Sequence, residues 1–284
     1  MIIPCFDEER AIVHVLDGLE RMLRATGLPY EIIVVDDGSA DATAARIDTE
    51  RFQLLRHETN LGYGAALKTG AAAARYDLIA ITDADGTYPH EKIPELLAAI
   101  ERADMAVGAR TGDRVKIPAV RRPAKWILGR LANYLTGTKI PDLNSGLRVI
   151  RRELWDQYEY LFPDGFSLTT TITLAALTNR RRVRYVPIDY HPRVGRSKIR
   201  PIQDTLGFIQ LILRVILYFN PMKIFLPVSI ILFLASVVIG VGTLILQYLG
   251  KAKFMDVTTS LLFIASLQTL AIGALADLIS KRMK

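Results

Sequence analysis

Residues Phe225 to Leu249 read FLPVSIILFLASVVIGVGTLILQYL, 25 residues without a charge. As a helix rising 1.5 Å per residue, this run covers roughly 37 Å, more than a bilayer's hydrocarbon core of about 30 Å. It is therefore read as a membrane span rather than a buried core helix. A second uncharged run, Val257 to Ala276, follows after the short stretch Gly250 to Asp256. It carries Thr258, Thr259, Ser260, Gln268 and Thr269 and is less oily. The short return still favours a helical hairpin, in which Gly240, Gly242 and Gly273 would let the helices approach closely.

Charge sets the expected orientation. Arg214 and Lys223 precede the first span, and Lys281, Arg282 and Lys284 close the chain, whereas the connecting loop has Lys251 and Lys253 opposed by Asp256. The positive-inside rule then puts both termini in the cytoplasm. The opening MIIPCF has no basic stretch leading into an apolar one, so no cleavable leader is expected. Ile202 to Tyr218 is apolar except for a narrow edge of Gln203, Asp204, Gln210 and Arg214. It reads as a helix at the membrane surface, the alternative being a packing helix of the globular part. The expected organisation is a globular domain over 1–200, an interfacial helix over 201–222 and a two-helix hairpin over 223–284.

The globular part alternates apolar runs with amphipathic ones. Strands are expected at Ile2 to Pro4, Ile32 to Val35, Phe52 to Arg56, Leu78 to Thr82 and Met105 to Gly108, and helices at Ala11 to Ala25, Ala42 to Arg51, Gly64 to Ala74 and Ile93 to Arg102. The first strand is short, unless the chain starts upstream of Met1. Such alternation predicts an α/β, Rossmann-like fold, a mostly parallel sheet with helices on both faces and ligands at the carboxyl ends of the strands. A single cysteine, Cys5, excludes an internal disulfide framework, and four scattered histidines argue against a histidine-built metal site.

Acidic groups stand where strands end: Asp7, Glu8 and Glu9 after the first, Asp36 and Asp37 after the second, Asp83 and Asp85 after the fourth. On one sheet edge their mutual repulsion is costly unless something positive joins them. In Asp83-Ala84-Asp85 the carboxylates occupy i and i+2 and point the same way if extended backbone continues. Two hard oxygen ligands with open positions suit Mg²⁺ or Mn²⁺ bridging to phosphates. Asp37 reads as a turn or cap residue, and Asp36 as the one reaching a nucleoside hydroxyl or base. Asn60-Leu61-Gly62-Tyr63-Gly64 looks like a dinucleotide fingerprint only in part, because Leu67 stands where the third glycine belongs and the segment follows the third strand. It reads instead as a tight turn into a helix, with Gly70 allowing that helix to lie close to the sheet.

The segments PCFDEE (from Pro4), VVDDGS (from Val34), NLGYGAAL (from Asn60), DADGTYP (from Asp83), VGAR (from Val107) and DLNSGLR (from Asp142) occur in this order. Together they resemble family 2 glycosyltransferases of the GT-A fold, and among these the dolichol-phosphate mannosyltransferase and polyprenyl-phosphate glucosyltransferase branch, over residues 1 to about 200. The resemblance implies that Pro4, Phe6, Glu8, Asp36 and the Asp83-Ala84-Asp85 segment bind a nucleotide-sugar, with Asp83 and Asp85 holding Mg²⁺ or Mn²⁺. It also implies that Arg193, Ser197 and Lys198 clamp the diphosphate. Phe6 stands where Tyr is common, Asp7 where Asn is common, and Thr87 where some relatives carry Gln.

Residues 110–130 hold Arg110, Arg114, Lys116, Arg121, Arg122, Lys125 and Arg130 against one acid, Asp113, with Trp126, Ile127 and Leu128 between them. A nucleic-acid surface and a membrane-facing segment both fit this pattern, and the adjacent anchor favours the membrane. The expected activity is inverting transfer of a hexose from a nucleotide-diphospho-sugar (UDP-glucose or GDP-mannose type) to a polyprenyl phosphate. Asp85, Asp142, Arg110 and Arg148 are the catalytic candidates, and Arg110, Arg122 and Arg148 the acceptor-phosphate ligands. A sugar or lipid hydroxyl acceptor would need a base, for which Asp142 is the candidate. A non-catalytic membrane scaffold is the alternative of another class. No nucleic-acid partner is expected, and a homo-oligomer is left open.

Overall fold

A computed structural model describes residues 1–112, 129–134, 136–165, 167–191, 210, 213–250, 253 and 255–282. The chain divides into two compact units, 1–212 and 213–284. In the first, the apolar runs form strands β1 (Ile2–Cys5), β2 (Ile33–Asp36), β3 (Gln53–Arg56), β4 (Leu78–Ile81), β5 (Met105–Arg110), β6 (Arg148–Arg151) and β7 (Val183–Ile188). They make one sheet of order β3-β2-β1-β4-β6-β5-β7. It is mostly parallel, but β6 runs antiparallel between β4 and β5. Helices α1 (Ile12–Ala25), α2 (Tyr63–Ala73), α3 (Ile93–Ile100), α4 (Arg152–Tyr158) and α5 (Leu168–Thr178) connect or flank the strands.

Alternation along the strands assigns the two faces. Ile3, Cys5 and Val34 share one apolar core with Ile12, Val15, Leu16 and Leu19 of α1 and Ile93, Leu96 and Ile100 of α3. Ile2 and Val35, of opposite parity, meet α2 at Gly70: a Cβ there would lie 2.4 Å from Ile2 Cγ2 and 3.2 Å from Val35 Cγ2. Both faces are thus covered, which is why these strands read as continuous apolar runs.

Strand β1 pairs with β2 along its whole length, Ile2↔Ile33 through Cys5↔Asp36, but with β4 only at Ile2↔Ile81. The chain turns one way from β1 to β2 and β3, then crosses to β4 on the other side of β1. This is a topological switch point, where a crevice opens past the strand ends. Pro4 fits here. Thr82 N donates to Ile2 O at 3.3 Å, so even-numbered residues of β1 face β4. Pro4 would direct its missing N–H to that side, where the ladder has already ended.

The helix expected over Ala42 to Arg51 does not form; a 3₁₀ turn, Ala44–Arg46, replaces it. Asp41 Oδ1 accepts from Thr43 N at 2.9 Å and Asp48 Oδ1 from Glu50 N at 3.1 Å. These side chains offer the backbone local partners that compete with helical hydrogen bonds.

In the second unit, α6 (Met222–Tyr248) and α7 (Asp256–Arg282) form an antiparallel hairpin, each helix long and apolar enough to cross a membrane. Their seam is small and polar. Ser229 Oγ donates to Ser266 O at 2.9 Å and Ser236 Oγ to Thr259 O at 3.0 Å, while Gly240 meets Thr259 and Gly273 meets Phe225. Residues 213–219 are helical, and Tyr218 O accepts from Ser280 Oγ at 2.6 Å. Of the expected surface helix, residues 201–209, 211 and 212 lie outside the described residues.

Gly70→Val should overpack the β1–α2 contact at a cost of about 1–3 kcal/mol. The expected result is a lower unfolding temperature of the detergent-solubilised full chain, read by intrinsic fluorescence.

Candidate active site

The crevice between β1 and β4 is a cavity of about 410 Å³, within the usual range for small-ligand sites. Pro4, Cys5, Phe6 and Glu8 line it from the end of β1, Asp83, Ala84 and Asp85 from the end of β4, and Gly62, Tyr63 and Ala66 from the start of α2. Asp37, Asn60, Asn144, Gly146, Gly165 and Thr169 complete the wall. Of the residues expected at a nucleotide-sugar, the structure brings together Pro4, Phe6, Glu8, Asp83, Ala84 and Asp85. Arg193, Ser197 and Lys198 lie outside the described residues, as does Arg122. So do the neighbours Arg114, Lys116, Arg121, Lys125, Trp126, Ile127 and Leu128.

The acidic residues at the strand ends divide by their partners. Asp7 Oδ1 accepts from Ala40 N at 2.9 Å and Glu9 Oε2 from Ala42 N at 3.2 Å, which ties the loop after β1 to the loop after β2. Asp36 is placed differently from expectation. It is fully buried, takes Ser39 N at 3.2 Å and Arg56 Nε at 3.1 Å, and does not line the cavity. Asp36 is the last residue of β2, in register with Cys5 on one side and with its ion partner Arg56 on the other, whereas Asp37 lies past the strand. Asp37 lines the cavity instead, accepting Leu61 N at 2.9 Å, Gly62 N at 2.8 Å and His57 Nδ1 at 2.7 Å. It holds the loop that starts α2 rather than capping its own turn.

Asp83 and Asp85 face one cavity, but not through continued strand geometry. Strand β4 ends at Ile81, and Asp85 sits in a turn completed by Gly86 at φ +73°. Asp85 Oδ1 accepts from Thr87 N at 3.1 Å and from Thr87 Oγ1 at 2.6 Å. Asp83 Oδ1 accepts from the Tyr63 phenol at 3.1 Å. Burial first, and then the Asp83 charge, push the Tyr63 phenol well above its ordinary pKa, so it stays a donor. Among the described residues no group of three or more His, Cys, Asp or Glu forms a closed metal cage. The pair nevertheless fits a hard divalent cation: two carboxylates on one wall leave coordination positions for water and phosphate oxygens. Burial and then the Asp36 charge raise the Cys5 thiol far above its usual range.

The DLNSGLR segment reaches the cavity through Asn144 and Gly146, and neither Asp142 nor Arg148 is among the lining residues. Asp142 is buried and grips Arg110 with both oxygens, Oδ2 to Nε at 2.7 Å and Oδ1 to Nη2 at 3.0 Å, and also takes Arg110 N at 3.0 Å. Arg110 lies over the Tyr190 ring at 5.2 Å. Arg148 corrects the expectation of a phosphate ligand. Its side chain is wholly buried and donates to Ser145 O at 2.6 Å, Leu143 O at 2.9 Å and Thr173 Oγ1 at 2.5 Å. It holds the loop from inside, and burial lowers its pKa. Sequence reasoning missed Tyr63, Thr87 and Thr169. A hydroxyl two residues beyond Asp85 was the visible signal for Thr87, whereas Tyr63 and Thr169 reach the site only through tertiary packing.

Residues 1–159 match the family model described as glycosyl transferase family 2, and residues 220–281 the one described as GtrB C-terminal hairpin. A dolichyl-phosphate hexose transferase of Haloferax volcanii is 30% identical over 71% of this chain and 86% of its own length. A dodecaprenyl-phosphate galacturonate synthase of Rhizobium johnstonii is 27% identical over 99% of this chain and 87% of its own, hairpin included. The share of a curated relative's length that this chain spans varies from 49% to 87%. Among solved structures, glucosyl-3-phosphoglycerate synthase of Mycobacterium tuberculosis, in complex with Mn²⁺, UDP-glucose and phosphoglyceric acid, shares the fold at TM-score 0.58 and 22% identity, over 76% of this chain and 78% of that one. The cavity at the sheet's switch point is thus set in a chain that belongs to glycosyltransferase family 2 and ends in a GtrB-type hairpin.

Proposed function

We propose that this chain is an inverting glycosyltransferase that moves a hexose from a nucleotide-diphospho-sugar, of the UDP-glucose or GDP-mannose type, to a polyprenyl phosphate at the cytoplasmic face of a membrane. The observation that carries the reading is the pair Asp83 and Asp85 on one wall of a ligand-sized cavity, in a chain that ends in two membrane-length helices. The polyprenyl-type acceptors in the names of the two relatives support it. The excess of basic residues flanking the hairpin supports cytoplasmic termini.

In this reading Pro4, Phe6, Glu8 and Asp37 surround the nucleoside. Asp83 and Asp85 would hold Mg²⁺ or Mn²⁺, which supplies positive charge to the departing diphosphate. Arg193, Ser197 and Lys198 would add donors to the same oxygens, guanidinium and ammonium groups being well suited to them. The acceptor phosphate attacks the anomeric carbon in line, the sugar–oxygen bond to the diphosphate breaks, and the configuration inverts. A phosphate monoester, with a second pKa of about 6, is largely dianionic at neutral pH and needs no base. It needs moderate positive charge to hold it, for which Arg110 and Arg122 are the candidates. A hydroxyl acceptor is disfavoured because Asp142, the candidate base, is buried with both oxygens on Arg110. A scaffold role would not require the Asp83 and Asp85 carboxylates to be held by dedicated hydroxyls.

Full-length protein in detergent, given UDP-glucose or GDP-mannose with a polyprenyl phosphate, should form the lipid-linked sugar. Asp85→Ala, or chelation with EDTA, should lower the rate by at least about 100-fold, the scale of losing one preorganised electrostatic group. Full turnover by Asp85→Ala would overturn the metal assignment.

The wild-type rate at low acceptor concentration should rise as pH increases through about 6, where the lipid phosphate takes its second charge. Asp142→Asn should keep that rise while losing thermal stability, because removing one partner of a buried ion pair costs on the order of 3 kcal/mol. Loss of the pH-dependent limb in Asp142→Asn would instead make Asp142 the base and favour a hydroxyl acceptor.

A further inference from the structure

Tyr63 begins α2 and lines the cavity beside Asp83. Its phenol donates to Asp83 Oδ1 at 3.1 Å. The backbone that carries it is anchored on both sides. Before it, Gly62 N donates to Asp37 Oδ2 at 2.8 Å. After it, Gly64 N and Ala65 N donate to Asp164 O at 2.7 and 3.0 Å, and Lys68 pairs with the Asp164 carboxylate. The phenol oxygen is therefore held by a fixed helix start rather than by a mobile loop.

Asp83 is confined from the other side as well. A Cβ on Gly146 would lie 2.7 Å from Asp83 Oδ1 and 3.1 Å from Oδ2, so only a glycine lets the carboxylate rest there. Gly146 N in turn donates to the Tyr88 hydroxyl at 2.6 Å. Asp83 thus lies between a phenol from α2 and a backbone segment before β6. The arrangement parallels Asp85, whose Oδ1 is taken by the Thr87 hydroxyl and amide. In each case one oxygen is tied by a neutral donor, which fixes the plane of the carboxylate.

We infer that Tyr63 is a positioning residue that sets Asp83 in the orientation that receives the divalent cation, an inference that rests on the assignment of Asp83 and Asp85 to that cation. Carboxylates that bind metals are themselves commonly hydrogen-bonded, and removing such a partner costs about 10–100-fold in metal affinity or activity. The effect belongs to metal affinity rather than to packing, since Tyr63→Phe keeps the ring and removes only the oxygen.

The test uses the full chain in detergent and Mn²⁺ as the probe, alone and with UDP or GDP, free Mn²⁺ being read by its electron paramagnetic resonance signal. Wild type should sequester Mn²⁺, Asp83→Asn should not, and Tyr63→Phe should bind it about 10-fold more weakly. The metal-free unfolding temperature of Tyr63→Phe should equal that of wild type. Mn²⁺ affinity in Tyr63→Phe within about twofold of wild type, well short of the ~10-fold expected for a lost partner, would overturn the role of Tyr63 and leave the metal assignment standing. A weaker affinity matched by a fall in metal-free stability would also overturn it, by reducing Tyr63 to a packing residue. Wild type that sequesters no Mn²⁺, or Asp83→Asn that binds like wild type, would remove the metal assignment and this inference together.

Discussion

Strands β1 and β4 share one residue pair, Ile2 with Ile81, and then separate. Everything at the proposed site depends on that separation. Continued pairing would bring Pro4 against a strand expecting an N–H, and would fill the crevice with backbone. Because the strands part, the residues after them, Phe6 and Glu8 on one side and Asp83 and Asp85 on the other, face each other across open space. The sheet is held together beneath by Ile2, Ile3, Val34 and Val35, all buried and packed on helices on both faces.

Crowding many carboxylates on one edge is electrostatically unfavourable, and the fold relieves it selectively. Asp7, Glu9 and Asp37 receive backbone amides, and Asp36 receives Arg56. Asp142 is neutralised by Arg110. The donors that Asp83 and Asp85 take from Tyr63 and Thr87, a phenol and a threonine hydroxyl with its amide, are neutral. Those donors orient the two carboxylates without bringing charge of their own.

The alternation of strands and helices was legible in the sequence because buried parallel strands are written as unbroken apolar runs such as Ile32 to Val35. The antiparallel direction of β6 was not, since Arg148–Arg151 has no local mark of its polarity in the sheet. The aspartates at the end of β4 were legible from their place after a buried strand. The exchange of Asp36 for Asp37 at the cavity turns on one residue of register, a distance that local pattern does not resolve. Arg148 misled for a physical reason: a guanidinium in a polar loop reads as a ligand for anions, and only packing reveals that carbonyls and a threonine enclose it.

The inner face of α7 repeats every seventh position, with Thr259, Ser266 and Gly273 against α6 and Ser280 against Tyr218 just before it. Such a period keeps one face of a helix against its partner along the whole length. Stored on one narrow stripe, the information for pairing leaves the outward positions answerable only to oiliness. Over generations those positions can exchange Leu, Ile, Val and Phe freely, so kinship among such anchors should survive as a rhythm of tiny residues long after letter-by-letter likeness has faded.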